Sequence, residues 1–156
     1  MQTFTIKFSY KSKKSVYTAP KNSYIVIMGI IQSEKKAKPI GFFDSGIGGL
    51  SVLLEARKLL PHEDFIYYAD NINAPYGNMV DKKITRLTLE GVKYLLGFGV
   101  KMLVIACNTA TAAAANYLRG NFSLPIIGLE PAVLPASRQT KTKRILVIAT
   151  QATIKC

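Results

Sequence analysis

The chain has no tryptophan, one histidine and only two cysteines in 156 residues. Two cysteines, Cys107 and Cys156, do not make the disulfide framework of a secreted mini-domain, so the cytoplasm is the expected compartment. Long apolar runs are also missing. The longest near the start, "YIVIMGII" (Tyr24 to Ile31), has eight residues, whereas a membrane span needs about twenty. It is followed by "QSEKKAK" rather than by a small-residue cleavage site, so neither a membrane segment nor a signal peptide is expected. Acidic side chains are scarce, nine against 21 Lys and Arg, for a formal charge of +12. The surplus sits at the ends: residues 1–39 carry +7 and residues 131–156 carry +5, while 40–130 hold eight basic and eight acidic residues. A nucleic-acid binder carries its basic stripe on the folded body, so no nucleic-acid partner is expected.

From Pro39 onward, short apolar runs alternate with longer amphipathic ones. "PIGFFD", "DFIYYAD", "KMLVIAC", "LPIIGLE" and "KRILVIAT" read as strands. Between them, "LSVLLEARKLLP", "VDKKITRLTLEGVKYLLGFG", "TATAAAANYLRG" and the short "PAVLPASRQ" read as helices. Leu50, Leu53, Leu54 and Leu60 are expected on one side of the first helix. Val80, Ile84, Leu87, Leu95 and Phe98 are expected on one side of the second. The fold class is therefore α/β, a parallel sheet with helices on both faces. Ligands bind such sheets at the carboxyl ends of the strands, which gathers Asp44, Asp70, Cys107, Glu130 and Thr150 at one edge. Residues 1–38 show no convincing period and read as an unstructured extension, with Met28 as an alternative start.

Three short stretches at that edge carry chemistry. In "VIACNTATAAA", Cys107 meets the start of a helix that Asn108 or Thr109 is placed to cap. Free amides and the helix dipole favour negative charge there, either a thiolate or a substrate carboxylate. In "FDSGIGG", Gly46, Gly48 and Gly49 permit a tight turn and close approach of a ligand, and Asp44 is placed to orient or receive a proton. The loop is neither a dinucleotide fingerprint nor a P-loop. In "APYG", Pro75, Tyr76 and Gly77 form a turn able to close over a ligand. The lone His62 falls at the amino ends of the strands, across the sheet from Cys107. That argues against a Cys-His hydrolase and against a zinc site.

Taken together, "GFFDSGIGGLSVL", "ADNINAPYG" and "VIACNTATAAA", in this order and spacing, closely resemble the glutamate racemases of the cofactor-independent aspartate/glutamate racemase superfamily, over about Ile40 to Lys155. The resemblance implies interconversion of L- and D-glutamate in the cytoplasm, for peptidoglycan and cell shape, without pyridoxal phosphate or metal. It implies Cys107 as one of two catalytic thiols and Asp44 as the carboxylate assisting it. Substrate contacts fall on Asp44, Ser45, Tyr76, Gly77, Asn108 and Thr109, with a further threonine that is either Thr150 or Thr153. It leaves room for a homodimer. The family's second cysteine belongs to a "GCTHYP"-like segment that these 156 residues do not contain, and Cys156 stands where the family usually carries serine. The implied layout is an extension over 1–38, a first α/β domain over 39–130, itself incomplete, and the truncated start of a second domain over 131–156. On that layout the chain alone is expected to be inactive. The alternatives are an aspartate racemase-like enzyme and a non-catalytic, carboxylate-binding fragment.

Overall fold

The computed structural model describes the backbone of Ile25–Ile30 and residues 38–154. Five strands form one sheet in the order β1-β3-β2-β4-β5. They are β1 (Ile25–Ile30), β2 (Ile40–Asp44), β3 (Phe65–Asp70), β4 (Met102–Ile105) and β5 (Ile126–Gly128). Strands β2 to β5 run parallel, with Phe42 opposite Tyr67 and Val104, and Val104 opposite Ile127. The helices are α1 (Leu50–Leu59), α2 (Asp81–Leu96), α3 (Asn108–Asn121), α4 (Val133–Gln139) and α5 (Gln151–Ile154).

The period of two along each strand sorts the core into two layers. Phe42, Tyr67, Val104 and Ala106 face one side and pack with Leu53 and the partly buried Leu50, Val52 and Ala56 of α1. Phe43, Tyr68, Leu103 and Ile105 face the other side and pack with Ile84, Leu87 and Leu95 of α2 and Ala110, Ala114 and Leu118 of α3. Helix α3 presents alanine to this layer, and the Thr85 hydroxyl of α2 donates to the Ala113 carbonyl at 2.9 Å. Phe43 stacks on Tyr68 at 5.7 Å between ring centroids, under α2.

Four expectations need correction. The run 143–150 forms no strand among the described residues: Leu146 is 87% and Ile148 89% exposed. Its sequence has strand character, but no neighbouring strand pairs with it. Residues 1–38 are not wholly outside the sheet. Ile25–Ile30 pairs antiparallel with β3, Ile25 opposite Asp70 and Ile30 opposite Phe65, and so covers β3's other edge. A start at Met28 would keep only half of that strand; the rest of the extension lies outside the described residues. Leu54 of α1 and Leu60 just past its end are exposed, and Leu53 alone is fully buried, because this ten-residue helix turns only a narrow stripe toward the face of the sheet. On α2, Val80 is exposed because it precedes the first helical turn.

Candidate active site

The chain leaves β2 toward β3 on one side and returns with β4 on the other, so the crevice of this sheet opens beyond the carboxyl ends of β2 and β4. Asp44 ends β2 and Cys107 follows β4. Both line an open cleft of about 470 Å³, together with Gly48, Asn108, Thr109, Thr150 and Thr153.

Cys107 does more than stand near a helix start. It is the N-cap of α3, and the Ala110 amide donates to its sulfur at 3.4 Å. Sequence preference placed the cap on Asn108 or Thr109, since oxygen-bearing side chains dominate that position. Here the sulfur takes the role, Asn108 is exposed, and Thr109 turns inward. Ser45 Oγ lies 3.3 Å from the same sulfur. With the sulfur as thiolate, Ser45 and Ala110 both donate to it, and the positive end of α3 points at it. The residue is 8% exposed, and it lines the cleft.

Across the cleft, Thr109 Oγ1 lies 2.9 Å from Thr150 Oγ1 and 3.2 Å from Thr153 Oγ1, and these two are 2.9 Å apart. The sequence left Thr150 and Thr153 as alternatives; the structure brings both into one hydroxyl cluster. Thr150 Oγ1 also accepts from the Thr153 amide at 3.3 Å, capping the single turn of α5.

The carboxylate of Asp44 is held on one oxygen. The Gly49 amide donates to Oδ2 at 2.7 Å and the Tyr67 hydroxyl at 3.0 Å. A Cβ at Gly49 would stand 2.7 Å from the Ala106 Cβ and 3.0 Å from Tyr67 Oη, so only glycine lets this amide approach. Tyr67 is fully buried, and its hydroxyl is pushed well above the ordinary tyrosine range, first by burial and then by the charge of Asp44. It stays protonated and donates.

Tyr76 and Gly77 do not line the cleft. Tyr76 is buried, and its hydroxyl donates to Asp70 Oδ2 at 2.6 Å, while the Asn73 side-chain amide reaches both Asp70 oxygens at 2.9 and 3.0 Å. Asp70 thus pins the loop that follows β3. The loop's contact with the site is through Gly77, where a Cβ would meet the Thr150 side chain at 2.8 Å. Glu130 is exposed and does not line the cleft. Cys156 lies outside the described residues. Tyr67 is the residue that sequence reasoning missed: its relation to Asp44 depends on the β2–β3 register, which no motif encodes.

Residues 52–155 match the family model described as Asp/Glu/Hydantoin racemase. A glutamate racemase of Clostridium botulinum (strain Langeland) is 53% identical over 117 residues, 75% of this chain and 46% of that protein. Among solved structures, a glutamate racemase isoform of Bacillus anthracis superposes with a TM-score of 0.71 at 40% identity, over 78% of this chain and 46% of that one. The Escherichia coli glutamate racemase, solved with L-glutamate and the activator UDP-MurNAc-ala, gives 0.71 at 37% identity, over 77% and 46%. The chain therefore spans less than half the length of these relatives. With two thirds of its residues under the family model and the parallel sheet and strand-end cysteine in place, the chain belongs to the Asp/Glu/Hydantoin racemase family.

Proposed function

We propose that this chain supplies one face of a glutamate racemase site, in which Cys107 exchanges a proton with the α-carbon of glutamate. The observation that carries the reading is the placement of the Cys107 sulfur. It caps α3 within reach of Ser45 and shares one cleft with Asp44 and with the Thr109, Thr150 and Thr153 hydroxyls. Inverting a stereocentre needs a base on one face and an acid on the other, with the roles exchanged in the reverse direction. A thiol suits both roles because its ordinary pKa, about 8.5, lies near working pH. The α3 amides and the threonine hydroxyls are donors for the substrate carboxylate, on which charge builds as the α-proton leaves. Asp44, fixed through Oδ2, assists proton movement on the Cys107 side. The reaction uses neither metal nor pyridoxal phosphate and serves peptidoglycan synthesis in the cytoplasm.

The layout belongs to the same proposal: residues 39–130 contribute to a first domain and 131–156 begin a second. The acid on the opposite face would be a second cysteine; among the described residues the cleft is lined by one, Cys107. Racemisation by the 156-residue chain is therefore expected to be undetectable, and the test begins with the thiol. Iodoacetamide is expected to alkylate Cys107 faster than Cys156 near neutral pH, with glutamate slowing the reaction at Cys107 only. Equal and unprotected reactivity of the two thiols would sink the assignment. Turnover of D-glutamate by this chain, abolished in Cys107→Ala, would overturn the two-thiol scheme.

A further inference from the structure

We propose that Tyr67 is a positioning residue for Asp44, fixing which carboxylate oxygen faces the cleft. The inference rests on the reading of Asp44 as the group that assists Cys107, and it adds a residue that none of the motifs contains.

Tyr67 and Asp44 come together through strand register. Phe42 lies opposite Tyr67 and Asp44 opposite Ala69, so Tyr67 is the diagonal neighbour of Asp44 on the same face of the sheet. The Tyr67 hydroxyl lies 3.0 Å from Asp44 Oδ2 and 3.0 Å from the Gly46 carbonyl. It has one proton and two acceptors, and so ties the carboxylate to the turn that follows it. The Gly49 amide completes the grip on Oδ2 at 2.7 Å. Oδ1 receives no hydrogen bond among the described residues, and Asp44 lines the cleft, which leaves that oxygen for substrate or solvent. Tyr67 itself is fully buried, outside the cleft lining, and makes no contact with a reacting atom. It acts through Asp44. A phenylalanine would fill the same volume beside Phe42 and Phe65 but would release Oδ2 from one of its two donors.

The test uses the alkylation rate of Cys107, read by peptide mass spectrometry, in the parent chain, Tyr67→Phe, Asp44→Asn and the double variant. Freed on one side, the Asp44 charge is less compensated and able to turn toward the sulfur, which disfavours the thiolate. Tyr67→Phe is expected to slow alkylation by about tenfold, in line with loss of a hydrogen bond to a charged group. In the Asp44→Asn background the same change is expected to alter the rate by less than about twofold, because the charge that Tyr67 positions is gone. A purely structural tyrosine would slow both backgrounds equally, or neither, and either result overturns the proposal. Should Tyr67→Phe fail to fold, the Tyr67 hydroxyl proton of the otherwise unaltered protein tests the hydrogen bond on which the proposal stands. Its NMR resonance is expected to move in Asp44→Asn and to stay in Asp70→Asn; no movement in Asp44→Asn refutes the assignment. Glutamate protection of Cys107 is scored separately. If the coupling holds while glutamate fails to protect, the positioning role stands and the substrate reading falls.

Discussion

The tetrapeptide Leu-Val-Ile-Ala occurs twice, at 103–106 and at 146–149, and the two copies have different fates. In the first, Leu103 and Ile105 are 0% exposed at the centre of the sheet. In the second, Leu146 and Ile148 are 87% and 89% exposed and no strand forms. Both copies precede a helix capped by their next residue, Cys107 in one case and Thr150 in the other. Local sequence is the same for both. What differs is company: β4 has β2 and β5 beside it and α3 above it, while 146–149 has no strand partner among the described residues. Strand formation here is a property of neighbours more than of propensity.

The largest effect that tests this contrast is a cavity. Leu103→Ala removes a fully buried side chain and is expected to cost about 2 to 5 kcal/mol in urea denaturation. A loss below about 1 kcal/mol would mean that the central layer is not the source of stability.

A second effect belongs to the sheet body alone, because residues 131–154 contain no tyrosine. Burial pushes Tyr68 up to about 12, helped by the charges of Asp70 and Glu90. Tyr67 and Tyr76 move in the same direction, Tyr76 by burial and by its bond to Asp70. The folded-state values are raised above the unfolded one, so these groups contribute their full stability below about pH 10 and lose it as pH rises toward the folded values. For Tyr68 the window is about pH 10 to 12. Urea midpoints are expected to hold up to pH 10 and to fall above it, with tyrosinate absorbance rising as structure is lost. Ionisation of all tyrosines near pH 10 with the fold intact would contradict the burial described above.

The smallest effect is expected at the second copy of the tetrapeptide. Leu146→Ser changes an exposed side chain and is expected to shift stability by no more than about 0.5 kcal/mol. A cost comparable to Leu103→Ala would show that the segment is covered in solution.

Much of the sheet and half of the site could be read from sequence because the signals were local. Four aliphatic runs ended in Asp, Asp, Cys and Glu, and the parallel-sheet rule put those ends on one edge. The cap was not legible, since sulfur is rarely chosen over the adjacent Asn and Thr. Nor was the placement of Tyr76, whose hydroxyl faces Asp70 rather than the cleft because a buried carboxylate at the end of β3 needs a donor. Tyr67 was hidden for a different reason. "FIYYAD" shows two tyrosines on opposite faces, but which of them meets Asp44 is decided by register between strands 23 residues apart. The run at 143–150 misled because its strand character is real and its partners are not in its own sequence.

The alanines of α3 bear on the readiness of the thiol. Ala110, Ala114 and Ala115 pack between α2 and the sheet with no side-chain torsions to freeze. Folding therefore forfeits no rotamer entropy at these three positions, half of the six buried residues of the helix that Cys107 caps. Ala110, the residue whose amide meets the sulfur, is itself fully buried and has no rotamer to exchange. The amide that meets the Cys107 sulfur is thus held by shape rather than by a side chain that could change its rotamer, and its orientation is settled by the fold itself.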